Sequence, residues 1–440
     1  MDNLNQTIGK EIQNPSTRIL IKGIITGVLI LGLMIPTLFI VNLVDERKER
    51  QREVVKEVSS KWGGQQTLTG PYIFLPFLTI EDVGGKTIRT QKHVWILPEQ
   101  LSVTGTVTPE VRRRSIYDVL LYRAQIQTKG VFHPKLPKGI DSSAVQWKDS
   151  KICYGVSDYR GIEQRMVITA NAQQYDLSPG LPDEDINRDG LSAPLTLSAS
   201  DLGKPINFDM NFSLRGSETL YCVPLAGNSV FKISSSWNAP SFDGTSLPIE
   251  RKLTENGFEA HWQFNKANLP FGTLLQAGKF ESSNFAFGLN MLQPTDNYAK
   301  TSRSVKYAIL FIGLTFALFF IVELLQKKPL HSVQYVLVGL ALVIFYSLLL
   351  SFSEFISFDL SYLFASVATV FLVTWYTYSH FKTWKAAGAF FTVLASLYIF
   401  TFVLVRLEDT ALLIGSIGLF IILSLVMIAS RKINWYNPIN

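Results

Sequence analysis

Asp185, Asn187 and Asp189 alternate along DINRDG and Gly190 follows them, a spacing of oxygen ligands that opens calcium-binding loops. The continuation argues against a tight site. With Asp185 as loop position 1, position 12 is Thr196, where a high-affinity loop places a bidentate Glu, and Pro194 intervenes. Asp and Asn bonding their own backbone in successive turns account for the same letters. The sequence therefore assigns no metal and no cofactor, and keeps Asp185, Asn187 and Asp189 only as a weak calcium candidate.

A second group of reactive side chains lies in apolar surroundings, where ionisable groups are costly and usually paired or functional. Glu323 interrupts FFIVELLQKK, His331 and Gln334 open the next apolar run, and Glu354 closes it. The plain account of Glu323 is an i,i+4 ion pair with Lys327 at a membrane edge; the sharper one is a relay or gate. Catalytic signatures are missing from the sequence: no GxSxG, GxxxxGK[ST], HExxH or CxxC occurs. Asp158, Arg160 and Glu163 near a turn give a hydrolase its only support, and a structural salt bridge explains them better. His261 alternates outward from Phe258, Ala260 and Trp262, as a solvent-facing residue would.

The elements that position these groups follow from composition. Charged residues make up only 17% of the 440, against roughly 25% in soluble domains, so a membrane protein is expected. Residues 23–44 (GIITGVLILGLMIPTLFIVNLV) carry no charge over a length that spans a bilayer. A cleaved signal peptide fits poorly, because charged DERKER follows where a small-residue cleavage site belongs. Five further spans are expected at about 305–325, 331–352, 358–379, 387–405 and 410–430. Lys327 and Lys328, Lys382 and Lys385, and Arg431 and Lys432 share one side, whereas the opposite loops offer only Arg406. By the positive-inside rule both termini, 1–22 and 431–440, face the cytoplasm, and 45–304 lies outside.

That outer segment is close to charge-balanced, so the net charge of +6 mainly reports membrane topology. Arg112 to Arg114 reads as a solvated strand end, and nothing argues for nucleic acid. DERKERQREVVKEVSSKW extends the first helix over 45–62, with Val54, Val58 and Trp62 on one face and Gly63 and Gly64 as its stop. The period then changes to two: INFDMNFSL, GFEAHWQF and NFAFGLNM each put alternate apolar residues on one side of a strand. An antiparallel, sandwich-like domain follows, with a Pro-, Asp- and Gly-rich stretch at about 178–205 dividing it into lobes 65–177 and 206–293. Cys153 and Cys222 are expected as buried free thiols, since a domain this long needs no disulfide to bury a core. The fold class is thus an α+β membrane protein: one N-terminal and five C-terminal helices around a large extracytoplasmic β domain.

KYAILFIGLTFALFFIVELL (306–325), LHSVQYVLVGLALVIFYSLLLSFSE (330–354) and INWYN (433–437) resemble the CreD family of bacterial inner-membrane, cell envelope integrity proteins. GPYIFLPF, SDYRGI, SSWNAPSF, ENGFEAHW and PTDNYAKTSRSVKYA resemble its outer-domain blocks in order. The resemblance implies an inner-membrane protein with a large periplasmic domain and no established catalytic site. Glu323, His331, Gln334, Tyr335 and Glu354 match family positions without acquiring a role. The expectation is a non-enzymatic protein whose periplasmic domain braces or binds another envelope protein or polymer. A transporter or lipid-handling protein is the alternative, and an envelope-polymer hydrolase the weaker one.

Overall fold

The computed structural model describes residues 15–83, 86–276, 278, 280–291, 297–326, 328, 330–407 and 410–431. They fall into two compact units, Met1–Gln51 with Thr295–Asn440, and Arg52–Pro294.

Among the described residues, six helices are long and apolar enough to cross a membrane. The first, α1 (Pro15–Trp62), buries Leu33, Thr37 and Val44 on one face, and Thr37 returns its hydroxyl hydrogen bond to the Leu33 carbonyl at 3.0 Å. Then come α2 (Asn297–Val305), α3 (Ala308–Gln326), α4 (Ser332–Ser353), α5 (Phe358–Phe381), α6 (Trp384–Arg406) and α7 (Ala411–Ser430); α2 and α3 make one span. Phe316, Tyr335, Leu342, Phe345, Tyr362, Phe390 and Tyr398 pack at their common centre with Leu33 of α1. Gly339 admits that contact. A Cβ there would lie 2.1 Å from Leu33 Cδ1 and 3.0 Å from Phe316 Cζ, so a small residue lets α1 approach α4.

The other unit begins with the end of α1. Val54 and Trp62 are buried, and Gly63 stops the helix at φ +152°, with its amide on the Ser59 carbonyl at 2.9 Å. Its strands are β1 (Gln66–Val83), β2 (Lys86–Ile96), β3 (Gln100–Arg114), β4 (Tyr117–Phe132), β5 (Lys151–Val156), β6 (Val167–Ala170), β7 (Gln173–Asp176), β8 (Ser178–Pro179) and β9 (Gly190–Pro194). They continue as β10 (Ile206–Ser217), β11 (Thr219–Val223), β12 (Asn228–Ser235), β13 (Pro240–Gly244), β14 (Glu250–Thr254), β15 (Gly257–Phe264), β16 (Leu274–Gln276) and β17 (Phe287–Met291). One sheet runs β13-β17-β11-β1-β5-β9-β8, with β2 and β16 branching from β1; the other runs β14-β15-β12-β3-β4-β10-β6-β7.

Alternation holds where it was clearest. Phe208, Met210, Phe212 and Leu214 of β10 point into the core, as do Phe258, Ala260, Trp262 and Phe264 of β15. Both sheets contribute to one hydrophobic core that runs from Leu68 to Met291.

The expected antiparallel pairing holds for most of the strand pairs, with two parallel exceptions: β1 with β11 (Gln66 opposite Leu220) and β3 with β12 (Gln100 opposite Asn228). Those same pairs join strands from before and after 178–205, so the division into two lobes does not hold. The stretch itself is built into the first sheet through β8 and β9. Its Pro, Asp and Gly residues signal turns correctly, but turns do not say which strands pair across them. Cys153 and Cys222 are free and buried. Burial pushes the Cys222 thiol up to about 12 and Cys153 further, so neither is a ready thiolate.

Candidate functional site

The polar residues of the helical unit gather at two sets of helix ends. At the first, Glu323 of α3 is only 7% exposed, and its carboxylate accepts from Lys22 Nζ of α1 and from the Tyr335 hydroxyl of α4 at 3.1 Å. Lys22 also donates to the Leu330 carbonyl at 3.0 Å. A carboxylate this enclosed requires a counter-charge and hydrogen bonds, and here it has one of each. Lys327, the partner expected from i,i+4 spacing, lies outside the described residues. The partner found is 301 residues away in sequence. The only signal for Lys22 was its position, directly before the charge-free run.

His331 and Gln334 serve the start of α4. The Val333 amide donates to His331 Nδ1 at 3.3 Å, and the His331 amide donates to Gln334 Oε1 at 2.9 Å, a reciprocal cap for amides that would otherwise lack partners. With its oxygen so used, Gln334 turns its Nε2 to His380 Nδ1 of α5 at 3.1 Å. Lys328 Nζ donates to the Phe381 carbonyl at 2.8 Å, satisfying the end of α5, and Gln326 donates to the Thr383 hydroxyl at 3.1 Å. Glu323, Tyr335, Gln334 and His380 thus form one polar layer across α3, α4 and α5, tied to α1 by Lys22.

Glu354 stands apart. It follows α4, whose 22 residues rise about 33 Å, so it belongs to the opposite end of the helices. There its Oε1 lies 3.5 Å from Arg47 Nε and accepts from the Tyr298 hydroxyl at 3.4 Å, while Asn297 donates to the Ser353 carbonyl at 2.8 Å. Glu323, His331, Gln334, Tyr335 and Glu354 therefore fall into two groups, not one.

In the β unit the residues of DINRDG separate. Asp185 Oδ2 lies 3.3 Å from His93 Nε2 of β2. Asn187 donates instead to the Thr69 hydroxyl at 3.0 Å, and the Asp189 carbonyl accepts from the Val156 amide. Neither contact is an Asp or Asn side chain bonding its own turn; the bond of that kind here is made by Asp183, which accepts from the Asp185 amide at 2.9 Å, whereas Asp185 faces a histidine that its own segment did not reveal. Nearby, burial pushes the Asp183 carboxyl up from its ordinary value, outweighing hydrogen bonds from the Asp185 amide and the Trp95 indole.

Asp158, Arg160 and Glu163 take structural contacts. Asp158 accepts from the Gly64 amide at 2.7 Å and from Arg160, and Arg160 donates to the Ser60 carbonyl at 2.7 Å at the end of α1. Glu163 accepts from Arg123 at 3.0 Å. Arg112, Arg215 and Arg123 surround the Trp62 ring, their guanidinium carbons 3.9, 4.7 and 5.3 Å from its centroid.

The sequence is similar to that of known inner membrane proteins. The family model described as "Inner membrane protein CreD" matches residues 18–436. A protein of the same description from Escherichia coli (strain K12) is 32% identical over 415 residues, covering 92% of this chain and 91% of that protein.

Proposed function

Since the chain belongs to the CreD family of inner membrane proteins, we propose that it supports cell envelope integrity by presenting its β unit to another envelope component, without catalysing a reaction. The observation that carries this reading is the β unit itself: a two-sheet body inserted between the first and second spans. Asp158, Arg160 and Glu163, the faint hydrolase candidates, are occupied in holding the end of α1 and the sheet. In this reading both termini face the cytoplasm and residues 45–304 face the periplasm, as the placement of Lys328, Lys382, Lys385 and Arg431 supports.

Photo-crosslinking from exposed positions of the β unit in growing cells tests the proposal. Lys252 and Glu255, both exposed, are suitable sites. Reproducible capture of one envelope protein or polymer from these sites, and not from exposed α7 positions such as Leu412, is the expected result. Capture of nothing, together with full envelope function in a chain lacking the β unit, would overturn it.

A second reading has one observation in its favour, the enclosed Lys22, Glu323 and Tyr335 group. Transport or lipid handling would use a charged layer of this kind. Glu323→Gln at normal protein level should then abolish rescue of an envelope-stress defect; full rescue would remove the reading.

A further inference from the structure

His93, Asp183 and Asp185 bring an imidazole nitrogen and two carboxylate oxygens within 4.8 Å of one another. They come from two places. His93 lies on β2, two residues from Trp95 and on the same strand face, whereas both aspartates lie in the loop before β9. Each is held. The Phe74 and Trp95 rings pack on the imidazole, with centroids 5.1 and 4.4 Å away. Trp95 Nε1 donates to Asp183 Oδ2 at 3.2 Å, and the Asp185 amide donates to Asp183 Oδ1 at 2.9 Å.

The loop carrying the aspartates is anchored on both sides of them. The Phe280 amide donates to the Asp185 carbonyl at 2.8 Å, Ile186 is buried, and the Tyr159 hydroxyl bonds Gly190 through both its amide and its carbonyl. The three ligand groups therefore keep their positions without a bound ion, and their partial exposure leaves an entry path, with the His93 side chain 24% and the Asp185 side chain 32% exposed.

An ion pair between His93 and Asp185 explains two of the three residues. It leaves a second, half-buried carboxylate beside the same imidazole, and a bound cation would offset both its burial and the like charge of Asp185. We propose that His93, Asp183 and Asp185 bind one zinc ion. The 3.3 Å between His93 Nε2 and Asp185 Oδ2 already matches the roughly 3.3–3.4 Å edge of a tetrahedron with metal bonds of about 2.0–2.1 Å. The ligand atoms all lie within 4.8 Å of one another, so closing Asp183 onto that edge takes a shift of at most about 1.5 Å. The imidazole discriminates against calcium, which takes six to eight oxygens at longer range. Trp95 supplies the outer hydrogen bond that orients a ligating carboxylate, and three protein ligands leave a fourth position for water.

The test uses the full-length chain, purified in detergent, stripped with EDTA and dialysed against zinc chloride. Elemental analysis should find one zinc per chain. His93→Gln and Asp185→Asn should each weaken retention at least tenfold, and Asp189→Asn should leave it unchanged. No zinc on the wild-type chain, or equal zinc on all variants, overturns the site; calcium retained from calcium chloride in place of zinc overturns the choice of ion. A measurement on the wild-type chain alone guards against misfolded variants. Zinc should protect His93 from diethyl pyrocarbonate while His133 and His331 react as before, and unprotected His93 counts against the proposal.

Discussion

Glu323 was conspicuous as a lone carboxylate in an apolar run, but its partner was not, because pairing by helical spacing sees only four residues ahead. The structure joins it to Lys22 across two helices that are far apart in sequence. Removing one member of such a pair strands the other, whereas removing both does not. Glu323→Gln is thus expected to destabilise the helical unit by about 3 kcal/mol or more, and Lys22→Met combined with Glu323→Gln to recover most of that loss. Thermal unfolding of the detergent-solubilised chain measures both. If the double variant regains stability but not envelope function, the charges act beyond structure; if it regains both, they are structural. His93 and Asp183 were hidden for the same reason as Lys22: each looks ordinary until the strand and the loop come together.

At the scale of elements, the end of α1 was legible from Val54, Val58, Trp62 and the two glycines. The way it is fastened was not. Trp62 is 7% exposed beneath three arginines from β3, β4 and β10. Trp62→Ala should cost about 3–5 kcal/mol, whereas Arg112→Ala should cost about 0.5–1 kcal/mol if only the cation contact is lost. Similar losses from the two would show that the ring is not the anchor. Asp158 gives this junction a pH signature. Burial pushes its carboxyl up, but hydrogen bonds from Arg160 and the Gly64 amide prevail and hold it below the usual range. Its contribution is therefore present above the unfolded value of about 3.9 and lost as pH falls through the lower folded value. Melting temperatures measured from pH 5 to pH 3 should fall less steeply for Asp158→Asn than for the wild-type chain; parallel curves would refute this. Between helices, Gly339→Phe should separate α1 from α4 and lower the yield of folded protein, while Gly339→Ala, which meets the end of the flexible Leu33 side chain and the edge of the Phe316 ring, should cost less.

For the whole molecule, apolar run lengths were enough to reveal the six helices long enough to cross a membrane among the described residues, one before the β unit in sequence and five after it, since a span is a local property of about twenty residues. Sheet order was not readable, because alternation reports which face of a strand is buried and says nothing of its neighbours. The proposed orientation can be tested with the chain's own chemistry. Cys153 is 0% exposed and Cys222 2%, so a membrane-impermeant maleimide should leave the native chain unlabelled. Asn256→Cys, in the exposed β14–β15 turn, should label in intact cells, and Lys385→Cys only after lysis. The reverse pattern would invert the topology. The parallel pair of β1 with β11 has a consequence in time. Gln66 is synthesised long before Leu220 exists to pair with it, and at about 5–20 residues per second the delay is roughly 8–30 s. The first sheet closes only with β17, just before the chain enters its second span, so the newborn segment must be kept from aggregating until nearly all of it has been made, and on the proposed periplasmic side its two cysteines would have to be kept from oxidation as well.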